Sequence, residues 1–292
     1  MGVTLKLSPF KRGPLCTCPP KYNLNTYAGR CRHGCVYCYA VKFPAFRGEL
    51  KPRLSLIPHL DKLARTRPKM TVMLSDATDP YQPAEREYCI TRRAIAKLSE
   101  AGFPLLVVTK SHLVARDVDI LRRSRCVVSM TVTMLDRRKS MVIEPKAPPP
   151  ELRIRALSVL SEAGVPTAAR IDPIIPGVND SPEGLRRLVI RLYDAGVQHI
   201  TASTLKPVRG FFQKIKHIPW LYERLAREYQ DAMQIAGYSY LPEKRRRELL
   251  APVREAAEDM GLTFAVCREG FSWNTASCDG SHLATGGSQL RA

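Results

Sequence analysis

Cys31, Cys35 and Cys38 lie in the run Gly29-Arg-Cys-Arg-His-Gly-Cys-Val-Tyr-Cys-Tyr-Ala40, a C-x3-C-x2-C spacing with Tyr37 directly before the last thiol. Thiolates are soft ligands that select zinc or iron–sulfur clusters. Three of them on one short loop can hold three irons of a 4Fe–4S cube and leave the fourth open. An open iron can bind the amine and carboxylate of S-adenosylmethionine, pass it one electron and break its C–S bond. A structural zinc is the alternative. Zinc sites usually pair two short cysteine arms or add histidines, and His33 is the only imidazole close by.

The remaining cysteines pose a second question. Cys16 and Cys18 form a C-x-C just before the loop, and Cys267 and Cys278 lie near the other end of the sequence. Four thiols in two pairs can close a four-cysteine site holding zinc or a second iron–sulfur cluster. Inert buried thiols are the bland reading. Cys89 and Cys126 have no partner pattern and are expected in the core.

These groups need a scaffold, and the 292 residues, 45% of them apolar, are enough for one large domain or a domain with an appendage. The opening residues carry no apolar signal segment, and no run of 18 apolar residues suggests a membrane span. Nine cysteines without an export signal favour metal ligation over disulfides. A soluble protein of a reducing compartment, the cytoplasm, is therefore expected, with no membrane partner. Lys and Arg total 46 against 27 Asp and Glu, a formal charge of +19. Such an excess suits a polyanion, of which nucleic acid is the commonest in cells; solvated helix faces are the alternative. Lys244-Arg-Arg-Arg247 is the densest basic run.

After the loop, apolar runs alternate with amphipathic stretches. Strands are expected at Met70–Leu74, Leu105–Thr109, Cys126–Thr133, Thr167–Ile171 and His199–Ser203. Helices are expected at Leu56–Arg65, Thr91–Ala101, Val114–Arg122, Leu152–Ala163 and Leu185–Ala195. This β-α alternation points to an α/β fold with a parallel sheet covered by helices, of about six units, too few for a closed eight-fold barrel. Residues 207–292 change character and read as a helical C-terminal extension packed on the 1–206 domain, ending in a frayed tail at Thr285–Gln289. In such sheets the reactive groups gather at the carboxyl ends of strands. Ser75-Asp-Ala-Thr-Asp-Pro80, Thr109-Lys-Ser111, Ser129 with Thr131, Arg170-Ile-Asp-Pro173 and Ser203–Lys206 fall there, although each alone suits a turn or helix cap.

The cysteine loop resembles that of the radical S-adenosylmethionine enzymes. Asn25–Ala40, Thr78-Asp-Pro-Tyr-Gln-Pro-Ala-Glu85, Glu144–Pro150 and Pro173–Asp180 are similar to segments of the spore photoproduct lyase-related (DNA photolyase-like) branch, covering residues 23–206. The resemblance implies an open six-unit partial (β/α) barrel. It further implies a reducing electron donor and a 5′-deoxyadenosyl radical formed beside a base held out of its stack. The substrate is then a DNA lesion or a tRNA or other RNA to be modified. Strand-end position together with the resemblance assigns Lys110 to the methionine carboxylate, Ser75, Asp76 and Thr78 to the amine, and Ser129 and Thr131 to the ribose hydroxyls. Tyr37 and Tyr39 could relay a radical or stack, Tyr37 near the adenine. One departure stands out: where the lyase carries its hydrogen-donating cysteine, this sequence has Asp76, and Cys89 is the nearest thiol. The competing class is a non-enzymatic nucleic-acid-binding protein with a structural metal.

Overall fold

A computed structural model describes residues 7–285. Seven parallel strands form the central sheet in sequence order: β1 (Tyr22–Leu24), β2 (Val72–Leu74), β3 (Leu105–Thr109), β4 (Cys126–Thr131), β5 (Thr167–Ile174), β6 (His199–Thr204) and β7 (Thr263–Val266). A two-residue strand, Ser8–Pro9, adds antiparallel to β1, and the sheet does not close on itself. The main covering helices are α1 (Leu56–Thr66), α2 (Ile90–Glu100), α3 (Pro150–Glu162), α4 (Pro182–Asp194) and α5 (Glu243–Asp259). Among the described residues, no helix is long and apolar enough to cross a membrane.

The two-residue period of the strands sorts side chains onto two faces. Val72, Leu74, Leu105, Val107, Val128 and Met130 face the helices and join the main core. Met73, Leu106, Val127 and Ala168 face the concave side, where Phe10, Leu283 and Ala284 pack against them. A short helix, His282–Thr285, and Phe10 thus fill the lower lumen, leaving its upper half for polar residues. The helices follow from caps and stripes. Ser181 accepts from the Gly184 N–H at 3.1 Å, Pro182 occupies the first turn of α4, and Leu185, Leu188, Val189 and Leu192 are buried. Gly196 turns α4 into β6 at φ +79, where a Cβ would meet Ser161 Oγ at 2.0 Å.

Four expectations need correction. The sheet has seven parallel strands, not about six units, because β1 precedes the cysteine loop and is too short to show a period. The expected 207–292 extension is not a helical appendage over its described part, 207–285: β7 pairs with β6 as part of the sheet, and Met233–Ile235 forms a hairpin with Tyr238–Tyr240. The basic and aromatic stretch before it separated that strand from the others in sequence. The stretch Val114–Arg122 is a 3-10 turn, His112–Asp117, followed by one helical turn, Val118–Leu121. Cys126 is buried as expected, but Cys89 is half-exposed in the left-handed region at φ 47. Most of the proposed tail, Gly286–Gln289, lies outside the described residues.

Candidate active site

The cysteine loop leaves the barrel through Gly29, at φ +74, where a Cβ would strike the Glu49 carbonyl at 1.8 Å, so only glycine fits. Backbone bonds then clamp the loop: Val36 N–H to Ile143 O at 2.9 Å, and Lys146 N–H to His33 O at 3.1 Å. Lys214 donates to the carbonyls of Cys35 and Val36 at 2.9 and 2.8 Å. Cys35 is buried, whereas Cys31 and Cys38 are half-buried. Burial, reinforced by Asp79, pushes the Cys31 thiol up to about 12. Burial likewise pushes Cys35 up to about 12, against the opposing pull of Lys110. Burial thus favours the protonated form of Cys31 and Cys35, so thiolate ligation there depends on a metal displacing the proton.

Asp79 ties this loop to the sheet. It accepts from Thr109 Oγ1 at 2.6 Å, Lys110 N–H at 2.7 Å and Tyr81 N–H at 2.8 Å, and faces His33 Nε2 at 3.2 Å. Burial alone would raise its pKa, but the His33 imidazole and these donors outweigh it and hold the carboxyl at about 2. Glu144 does the same from the other side: Tyr37 O–H donates to it, and Arg153 pairs with it at 2.5 Å with both side chains buried.

Above the apolar floor lies a cavity of about 480 Å³. Tyr37, Tyr39, Asp76, Lys110 and Thr131 all line it, so five of the expected residues meet in one place. Lys110 Nζ lies 5.5 Å from the centre of the Tyr37 ring. Tyr39 O–H donates to the Asp76 carbonyl, while Asn25 Nδ2 donates to Asp76 Oδ1 at 3.1 Å. Ser129 lies one lumen position below Thr131. Its hydroxyl and that of Ser75 are buried without a hydrogen-bond partner, as expected of groups awaiting a polar ligand. Thr78 does not reach the cavity; its hydroxyl donates to Tyr27 O at 3.4 Å. Sequence reasoning assigned no role to Asp79, Glu144, Arg153 and Lys214, and listed Arg170 and Asp172 only as strand-end residues. These two line the cavity paired at 2.7 Å, and a polar pair closing an apolar strand was the available signal.

The basic run in α5 is not a free patch. Arg246 is buried on Glu269, Arg245 pairs with Glu228 at 2.5 Å, and Arg247 pairs with Glu243 at 2.7 Å. Cations without such neutralisation lie at the cavity rim instead, where Lys42 and Arg268 stand 3.8 and 4.0 Å from the centre of the Tyr238 ring.

A three-cysteine loop over a parallel barrel, with a polar cavity beside it, is an arrangement other proteins share. The family model described as the radical SAM superfamily matches residues 26–189, more than half of the chain, and the chain belongs to that superfamily. It is accordingly an enzyme of a class that works with an iron–sulfur cluster and S-adenosylmethionine. An uncharacterized protein of Mycobacterium tuberculosis is 27% identical over 259 residues, spanning 80% of this chain and 74% of the relative. One from Methanocaldococcus jannaschii is 33% identical over 165 residues, 55% of this chain and 62% of the relative. Among solved structures, a spore photoproduct lyase variant superposes with a TM-score of 0.70 at 18% identity, covering 91% of this chain and 80% of that one. Streptococcus suis SuiB bound to S-adenosylmethionine gives 0.55 at 14% identity, over 87% and 50%. At these identities the structural likeness speaks to the fold.

Proposed function

We propose that Cys31, Cys35 and Cys38 hold a 4Fe–4S cluster with one open iron, and that the enzyme acts on a nucleic acid at the adjoining cavity. The carrying observation is the convergence of Lys110, Asp76, Thr131 and Tyr37 on that cavity, above the unpartnered hydroxyl of Ser129. When bound, the cluster supplies one electron to S-adenosylmethionine, whose cleavage yields a 5′-deoxyadenosyl radical. Lys110 offers its ammonium to the methionine carboxylate, and Asp76 accepts from the amine. Thr131 and Ser129 answer the ribose hydroxyls. Tyr37, fixed by Glu144, offers a flat face to the adenine. Phe10, Met73 and Val108 form the apolar floor that keeps water away from the reacting carbon.

The net charge of +19 and the rim cations Lys42 and Arg268, which can meet phosphates, support a nucleic-acid substrate. A spore photoproduct lyase has been solved with a dinucleoside spore photoproduct bound. Repair of that same lesion is not proposed, because Asp76 stands where the resemblance implies a thiol. The test is anaerobic reconstitution with S-adenosylmethionine and a strong reductant, measuring 5′-deoxyadenosine alone and with bulk tRNA or damaged DNA. Cleavage that is stimulated by one of the nucleic acids is expected. Cleavage persisting in the Cys31→Ala/Cys35→Ala/Cys38→Ala variant would refute the cluster assignment, and indifference to both nucleic acids would refute the substrate class.

A further inference from the structure

The residues assigned to S-adenosylmethionine come from the cysteine loop and the ends of β2 to β4. The cavity wall made by β5 to β7 is left without a ligand. Cys16, Cys18 and Cys267 also line the cavity, and Cys278 packs on Cys18 at 3.0 Å. The polar centre of that wall is Arg170 with Asp172. Ala168 belongs to the apolar floor, and the two-residue period carries the next lumen positions of β5 up to Arg170 and Asp172. Arg170 is the register partner of Thr131 on β4, so the two side chains stand at one level of the lumen. Arg170 Nη2 donates to Asp172 Oδ2 at 2.7 Å, and among the described residues neither side chain makes another hydrogen bond. The two side chains stay 13% and 28% exposed. The guanidinium therefore keeps further donors, and Asp172 keeps Oδ1 as an acceptor. Lys206 on the same wall differs, being engaged by Glu269 and Ser203, both at 2.6 Å. An ion pair in such surroundings adds little to stability over apolar side chains of equal volume, so folding alone does not call for it.

We propose that Arg170 and Asp172 form a subsite for the hydrogen-bonding edge of the substrate base, reading an acceptor beside a donor. The inference rests on the nucleic-acid reading above and adds where in the cavity the base is recognised. A pair without net charge suits a neutral edge. A phosphate would gain from Arg170 but meet the Asp172 carboxylate at the same place. Lys42 and Arg268 at the rim have no acidic partner among the described residues, and are the better phosphate contacts. A base lifted from its stack exposes its Watson–Crick edge, where acceptor and donor adjoin. Arg170 gives to the acceptor and Asp172 takes from the donor. Because Arg170 is level with Thr131, a base held there lies beside the ribose that Thr131 answers, within reach of its reacting carbon.

The test reads base preference by binding, with salt dependence reporting the phosphate contacts. Anaerobically reconstituted enzyme, saturated with S-adenosylmethionine, is titrated with fluorescently labelled single-stranded nonamers. Each has an abasic backbone carrying one central base, in a deoxy and a ribo series. The parent should favour one base about tenfold or more over the least favoured. Arg170→Lys keeps the charge but loses the planar fork, and should level that preference while the salt slope stays as in the parent. Asp172→Asn turns an acceptor into an amide of the same shape and should reorder the preference. Asp172→Asn stays informative if Arg170→Lys unfolds the protein, which circular dichroism reads directly. Three results would overturn the subsite: both variants keep the parent's ranking, both weaken all probes equally with a lower salt slope, or Arg170→Lys weakens S-adenosylmethionine itself. A parent that binds all bases alike refutes the subsite alone. A parent that binds no probe in either series refutes the nucleic-acid reading and the subsite with it.

Discussion

The two cysteine sets are built in opposite ways. Cys31, Cys35 and Cys38 are carried by one loop, and the barrel needs only to orient that loop through Asp79, Glu144 and Lys214. The other set, Cys16, Cys18, Cys267 and Cys278, exists only because the curved sheet returns the chain to its beginning: Cys18 and Cys278 are separated by 260 residues. One is a local set braced by the fold, the other a set gathered by the fold. Damage to packing should therefore reach them unequally.

The largest contrast is expected from the loop itself. Cys35→Ala should abolish S-adenosylmethionine cleavage outright, measured as 5′-deoxyadenosine, while leaving the other four thiols untouched. Next is the brace. Arg153→Met strands the buried Glu144 carboxylate and should cost about 3–5 kcal/mol of stability. The double variant Arg153→Met/Glu144→Gln should recover much of this by denaturant unfolding. Failure to recover would show that packing, not charge, holds the loop.

Acid offers a milder probe of the same brace. The Asp79 carboxyl lies near 2 in the folded state against an ordinary 3.8. Its contribution is therefore full above pH 3.8 and disappears as pH falls toward 2, a change on the order of 2 kcal/mol. Asp79→Asn should flatten the stability profile in that window; an unchanged slope would place the acid sensitivity elsewhere. Lys110→Ala removes one charge-assisted contact, worth about 1.5–3 kcal/mol, and should weaken S-adenosylmethionine binding tenfold or more without loss of loop iron. The smallest effect belongs to Lys244→Gln on α5, within about 0.5 kcal/mol of the parent and without change in salt-dependent nucleic-acid affinity. Lys42→Gln/Arg268→Gln at the rim should weaken that affinity and lower its salt slope.

The central strands from Val72 to Thr204 were legible because each carries an apolar run, all but Cys126–Thr131 beside a glycine or proline turn, and the loop because ligand chemistry fixes its spacing. Alternation also placed Ser129 and Thr131 on the lumen side. What escaped notice depends on distant contacts. Tyr22–Leu24 is three residues long, and Thr263–Val266, although an apolar run after Gly261, is cut off from the other strands by a long basic and aromatic stretch. Asp79 looked like one more turn residue, because its partners His33, Thr109 and Lys110 come from separate segments. The run Lys244–Arg247 misled for the converse reason: a row of like charges in sequence was divided by the helix among three acidic partners, Glu228, Glu269 and Glu243.

The plug beneath the lumen has a consequence for the order in which the protein is made. Cys278, Asp279, Leu283 and Ala284 come late in the chain, whereas Cys18, Lys21 and Phe10, which they contact, come early. Every nascent chain therefore passes through a stage in which the strands up to β6 can form but the barrel is open from below. The entropy of closing so long a loop grows only logarithmically with its length, yet such distant pairings form slowly. During that interval the lumen is a hydrophobic trough open to solvent, and the early thiols are reachable by iron donors and oxidants alike. Sealing of the lower lumen therefore waits until the segment from Asp279 to Ala284 has been made.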